Sequence, residues 1–127
     1  MNILDIGVDI IEIHRIKEIL EKNPRFLEKM FTSEEIEYFK KKNFKAETIA
    51  GNFAAKEAIS KSIGTGIRKF KLRDIEVLRN ELGKPIVKTY NNFNQICIDY
   101  NVLEIKVSIS HCRDYVVANA IAITKEG

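Results

Sequence analysis

The sequence has few cysteines, no apolar run of membrane-spanning length and no repeats. Only Cys97 and Cys112 occur among its 127 residues, and they form neither a CxxC pair nor a zinc-like spacing. No apolar stretch approaches the length of a membrane span. The first residues, Met1-Asn2-Ile3-Leu4-Asp5, lack the basic start and small-residue cleavage site of a secretory signal. A cytoplasmic protein with reduced thiols and no membrane segment is expected. Internal repeats, linkers and low-complexity segments are missing, so residues 1–127 are read as a single domain. Hydrophobic residues make up 45% and charged residues 31%, a globular balance. Net charge is only +3. The basic runs at 40–45 and 68–73 do not interleave aromatics as base-stacking surfaces do. No nucleic acid is expected as partner; an anionic small molecule or an acidic protein fits better.

Periodicity outlines the elements. Residues 3–11 read as a buried strand, with Ile6, Val8 and Ile10 on one side and Asp5, Gly7 and Asp9 on the other. Gly7 either lets another backbone approach or marks a bulge. A helix follows, carrying Ile13, Ile16, Ile19 and Leu20. Pro24 ends it and starts a short one. Ser33 is the expected N-cap of a third. A long helix over 46–63 is apolar around much of its circumference, which places it centrally. The second half reads as strands at 74–78 and 85–90, which alternate, and at 105–110 and 115–123, the last apolar throughout, with a hairpin turn at 80–84 and a helix at 91–100. The expected class is α+β, an antiparallel sheet packed around the central apolar helix.

Three polar clusters stand out: Asp9 at a strand end, Glu57, Ser60 and Lys61 on the central helix, and Ser108, Ser110 and His111 at another strand end. Each has a plain structural reading. Asp9 and Glu12 could cap the first helix. Glu57 and Lys61 could form an i, i+4 ion pair, with Gly64 closing the helix. Ser110 and His111 could be turn residues. Taken together they describe a site instead. Two carboxylates from separate elements, Asp9 and Glu57, suit a Mg2+ that completes its shell with water and phosphate oxygens. Lys61 would offer an ammonium to that phosphate. No P-loop, zinc signature or Ser-His-Asp order competes.

At these residues the chain resembles a known family. Ile6-Gly7-Val8-Asp9-Ile10, Phe53-Ala54-Ala55-Lys56-Glu57-Ala58 with Lys61 and Gly64-Thr65-Gly66, Gly83-Lys84-Pro85, and Val107-Ser108-Ile109-Ser110-His111 look like the holo-[acyl-carrier-protein] synthases, the small bacterial class of 4′-phosphopantetheinyl transferases. The resemblance covers nearly the whole chain, in order. It implies the 4′-phosphopantetheinyl transferase-like fold. It also implies transfer of the phosphopantetheine arm of coenzyme A to a serine of apo acyl carrier protein, in fatty acid biosynthesis, releasing adenosine 3′,5′-bisphosphate. On that resemblance Asp9 and Glu57 would bind Mg2+ and, with Lys61, form the catalytic group. Ser60, Lys61, Gly64, Thr65, Gly66, Pro85 and His111 would line the coenzyme A site. Arg15 and Arg25 would dock the carrier protein. A homotrimer with active sites shared between subunits is also implied. The chain departs from the family at Asn52, where arginine is common, and at Cys112, where threonine is common. Arg113 or a residue of the 68–73 run would then supply the positive charge. The alternative is a non-catalytic module that binds coenzyme A or another nucleotide; metal-dependent turnover separates the two.

Overall fold

The computed structural model describes residues 1–64 and 69–125. It contains β1 (Asn2–Glu12), α1 (Ile13–Lys22), α2 (Phe26–Met30), α3 (Ser33–Lys41), α4 (Ala46–Ser62), β2 (Ile75–Arg79), β3 (Pro85–Thr89), α5 (Asn91–Asp99), β4 (Val102–His111) and β5 (Tyr115–Thr124), with a 3₁₀ turn at Leu72–Asp74. The first strand joins the last two in an antiparallel sheet of order β1-β5-β4, and β2 and β3 form a separate hairpin. The α+β expectation holds. The sheet is not confined to the second half, because β1 forms one of its edges.

α4 is the centre. Of its 17 residues, Ile49, Ala50, Ala54, Ala55, Ala58 and Ile59 are among those fully buried. Small side chains let the helix lie close on the sheet. A Cβ at Gly7 would come within 1.9 Å of the Ala58 carbonyl oxygen, and Gly51 faces Ile109 and Val116. Gly7 therefore serves close helix–strand approach, one of its two expected uses.

That contact reverses the expected burial of β1. Ile6, Val8 and Ile10 point away from α4 and are 60%, 52% and 64% exposed. Alternation identified two faces correctly, but the inward face is the one with glycine. Two caps also differ from expectation. Thr32, not Ser33, caps α3: its hydroxyl accepts from Glu35 N and Glu35 Oε1 accepts from Thr32 N, a reciprocal capping box. Glu12 precedes α1 without a side-chain cap bond, so the Asp9–Glu12 cap is not formed. The 80–84 turn is as expected, with Gly83 at φ +81° and Asn80 Oδ1 accepting from Leu82 N and Lys84 N.

Beneath the hairpin lies a buried polar network that sequence reading did not anticipate. Lys56 and Glu35 are both fully buried and paired with each other. Lys56 Nζ also donates to the Met30 carbonyl at 2.7 Å and the Leu72 carbonyl at 3.3 Å, and sits 4.6 Å from the centre of the Phe31 ring. Glu35 Oε2 accepts from Asn52 Nδ2 and Val77 N. Among the described residues no buried side-chain polar atom lacks a partner, which is how such a charge pair is tolerated. Burial pushes the Lys56 pKa down and the Glu35 pKa up, each opposed by the other's charge.

Candidate functional site

The close approach at Gly7 sets the site. Gly7, Asp9 and Ile11 share the face of β1 that meets α4, so Asp9 falls beside the last turns of that helix, where Glu57 and Lys61 project. Lys61 Nζ donates to Asp9 Oδ1 at 3.2 Å and to the Val8 carbonyl at 2.9 Å. Lys61 is thus bonded to a strand distant in sequence, in an ion pair between elements. The Lys61 side chain is 55% exposed and that of Asp9 20%, so this charge pair stands at the surface.

Burial raises the Asp9 pKa above the usual value; Lys61 opposes this and the Glu57 carboxylate adds to it. Two carboxylates therefore act on one another here, with a lysine relieving their repulsion. A hard divalent cation between Asp9 and Glu57 fits that donor chemistry. No group of three or more His, Cys, Asp or Glu side chains suited to a metal occurs among the described residues. A cation at this place would draw its remaining ligands from water and substrate. Glu57 also borders an open chamber of about 450 Å³ lined by Phe53, Met30 and Leu72 together with Glu28, Lys29, Lys71 and Arg73.

Other expected residues lie elsewhere. Ser60 is 6% exposed and its hydroxyl donates to the Lys56 carbonyl, on its own helix. Gly64, at φ +74°, closes α4. Thr65 and Gly66 fall outside the described residues. Pro85 opens β3 opposite Arg79. Both border a groove of about 810 Å³ between the hairpin and β4. His111 Nδ1 lies 3.7 Å from Glu47 Oε2. At 1.5 Å per residue that is roughly 15 Å along α4 from Glu57. Within one chain, then, Asp9, Glu57 and Lys61 come together at the β1 edge of the sheet. Pro85, across the groove from β4, and His111, at the end of β4, lie on the β4 side of the sheet. Arg15 and Arg25 are exposed.

Asn52 is fully buried, donating to Glu35 Oε2 at 3.1 Å and to the Val77 carbonyl at 2.8 Å. Its Oδ1 accepts from Arg79 Nη2 at 2.8 Å. It belongs to the interior network rather than to an open nucleotide surface. Sequence reading missed Glu35, Lys56 and Arg79. The one available signal was Thr32 three residues before Glu35, the spacing of a capping box.

Three comparisons bear on this arrangement. The model of the ACPS family, described as the 4′-phosphopantetheinyl transferase superfamily, matches residues 5–120. A holo-[acyl-carrier-protein] synthase of Clostridium beijerinckii is 54% identical, over 94% of this chain and 96% of that protein. The holo-ACP-synthase structure from Plasmodium yoelii superposes with a TM-score of 0.88 at 34% identity, covering 98% of both chains. The Bacillus anthracis synthase, solved in complex with CoA (3′,5′-ADP), gives 0.79 at 37% identity, over 97% of this chain and 98% of that one. The chain belongs to the 4′-phosphopantetheinyl transferase superfamily.

Proposed function

We propose that this protein is a holo-[acyl-carrier-protein] synthase. It moves the 4′-phosphopantetheine arm of coenzyme A to a serine of apo acyl carrier protein and releases adenosine 3′,5′-bisphosphate. The observation that carries the reading is the convergence of Asp9, Glu57 and Lys61 from two elements at one solvent-accessible point.

The chemistry follows from the charges. The serine oxygen bonds to the phosphorus that carries the pantetheine arm, its proton passes to water, and the phosphoanhydride bond to the nucleotide breaks. Negative charge grows on the leaving phosphate oxygens, so cationic groups fixed in advance lower the barrier. Asp9 and Glu57 would hold the Mg2+ that this family resemblance implies; bound there, it would neutralise pyrophosphate charge. Lys61 is anchored to Val8 and Asp9, so its ammonium is aimed before substrate arrives and can pass from Asp9 to a phosphate oxygen. The exposed arginines Arg15 and Arg25 suit an acidic carrier protein.

The reading includes a homotrimer with shared sites and a single domain over residues 1–127. The Asp9 group and the Pro85–His111 group lie at opposite edges of the sheet, so one coenzyme A spanning both would join two copies. The outward side of β1 is apolar and open at Ile3, Ile6, Val8 and Ile10, and burying such a face favours association. The chain's size in solution, by light scattering, tests this: a trimer supports it, and a monomer at micromolar concentration removes it. Cytoplasmic residence accords with two free cysteines and with the lack of any described helix long and apolar enough to cross a membrane.

The test of the reaction is mass spectrometry of apo acyl carrier protein incubated with this protein, coenzyme A and Mg2+. A gain of one phosphopantetheine is expected. An unchanged mass, beside a working synthase, removes the assignment.

A further inference from the structure

Lys61 stands with two carboxylates, Asp9 and Glu57, at the edge strand β1. An ammonium has three donors. Among the described residues Lys61 gives one to Asp9 Oδ1, at 3.2 Å, and one to the Val8 carbonyl, at 2.9 Å. The two acceptors differ in kind. The Val8 carbonyl is neutral and belongs to the strand backbone. The Asp9 carboxylate carries the charge that Glu57 also acts on, and it is the group offered to a divalent cation. The Asp9 side chain is only 20% exposed, so its attraction to a cation is screened less than on an open surface. Lys61 already supplies one cation there. A divalent ion brought to the same carboxylate meets an ammonium hydrogen-bonded to it, and like charges that close repel. The Val8 carbonyl does not enter this competition, so the ammonium can leave Asp9 and stay tethered to β1. Its third donor remains available to an incoming phosphate. Lys56 offers no such exchange, because it is fully buried and bonded to Glu35 and two carbonyls.

Resting on the function proposed above, we propose that Lys61 is a resident counter-ion on Asp9, displaced by a divalent cation and drawn away by coenzyme A, so that one side chain makes metal and coenzyme A bind cooperatively. The argument is one of linkage. Lys61 on Asp9 weakens a cation held by Asp9 and Glu57. Lys61 on a phosphate of coenzyme A leaves Asp9 to that cation. Each ligand then strengthens the other by the same factor. The contact also discourages the carboxylate pair from taking a metal before coenzyme A arrives. Removing the ammonium has two effects of opposite sense: the metal alone binds tighter, and its dependence on coenzyme A shrinks. A lysine that only touched phosphate would leave binding of the metal alone unchanged. A lysine that only braced the site would loosen it when removed.

The test titrates Mn2+, a paramagnetic stand-in for Mg2+, into the full chain and reads the free ion by electron paramagnetic resonance, with and without coenzyme A. No turnover is needed. Mn2+ alone is expected to bind Lys61→Met about three- to tenfold tighter than wild type, the range of one partly exposed ion pair. Coenzyme A should tighten Mn2+ in both chains, because its phosphates add ligands, but by a factor about three- to tenfold smaller in Lys61→Met. Lys61→Arg, which keeps the charge, should stay near wild type, and Asp9→Asn should lose the ion. Equal or weaker Mn2+ binding by Lys61→Met overturns the proposal, as does an undiminished coenzyme A effect or Mn2+ retained by Asp9→Asn. Failure of every chain to bind Mn2+ overturns it together with the metal assignment. Tighter Mn2+ binding by Lys61→Met, beside a carrier protein whose mass never changes, would remove the transferase reading and leave this inference standing.

Discussion

Two lysine–carboxylate pairs hang from α4 little more than a turn apart, and they behave as opposites. Lys56 and Glu35 have no exposed side-chain surface, whereas Lys61 is 55% and Asp9 20% exposed. The buried ammonium is committed: besides Glu35 it bonds the carbonyls of Met30 and Leu72. It thereby joins α2 and the 3₁₀ turn, whose residues wall the chamber beside Glu57. The exposed ammonium has Asp9 and one carbonyl, both facing water. The same chemical pair is scaffold when sealed and reagent when open. Burial makes exchange of partners prohibitively costly, while solvent makes it nearly free.

The largest break in that comparison is Lys56→Met. It strands the Glu35 charge in the interior, and thermal or urea unfolding should show a loss of about 3–5 kcal/mol. Next is Lys61→Met, for which unfolding should change by less than about 1 kcal/mol while phosphopantetheine transfer falls roughly ten- to a hundredfold, as expected for one charge-assisted contact to the reacting phosphate. A stable Lys56→Met or an unfolded Lys61→Met would reverse the roles assigned here. The smallest effect concerns the thiols. Burial pushes the Cys97 thiol up to about 11 from an ordinary 9.0, while Cys112 is exposed. Near pH 8 a thiol reagent should label Cys112 first. A raised folded-state pKa stabilises below the unfolded value and the benefit is lost as pH rises through the folded one. Stability should decline between about pH 9 and 11, and Cys97→Ala should flatten that decline.

The two pairs also differ in how far sequence revealed them. Glu57 and Lys61 share one helix face at a readable spacing, and Asp9 lies on a readable strand, which runs on to Glu12 rather than ending at Asp9. Their meeting needed only the glycine that brings β1 against α4. Glu35 and Lys56 both look like surface charges, since a helix pattern cannot say that its polar side will be covered by a hairpin formed later in the chain. Ile6, Val8 and Ile10 misled for a related reason. Alternation separates two faces, but which one turns inward was decided by the backbone contact at Gly7. Within one chain His111 lies by Glu47, at the other end of α4 from Glu57, a separation that strand ends read without the order of the sheet do not show.

The central claim is that the open pair and Glu57 form the reacting centre. It is tested most directly by Glu57→Gln, followed by the mass of apo acyl carrier protein after incubation with coenzyme A and Mg2+. The account predicts a folded variant that leaves the carrier at its starting mass over times in which the wild-type chain converts it fully. Full-rate conversion by Glu57→Gln would contradict it.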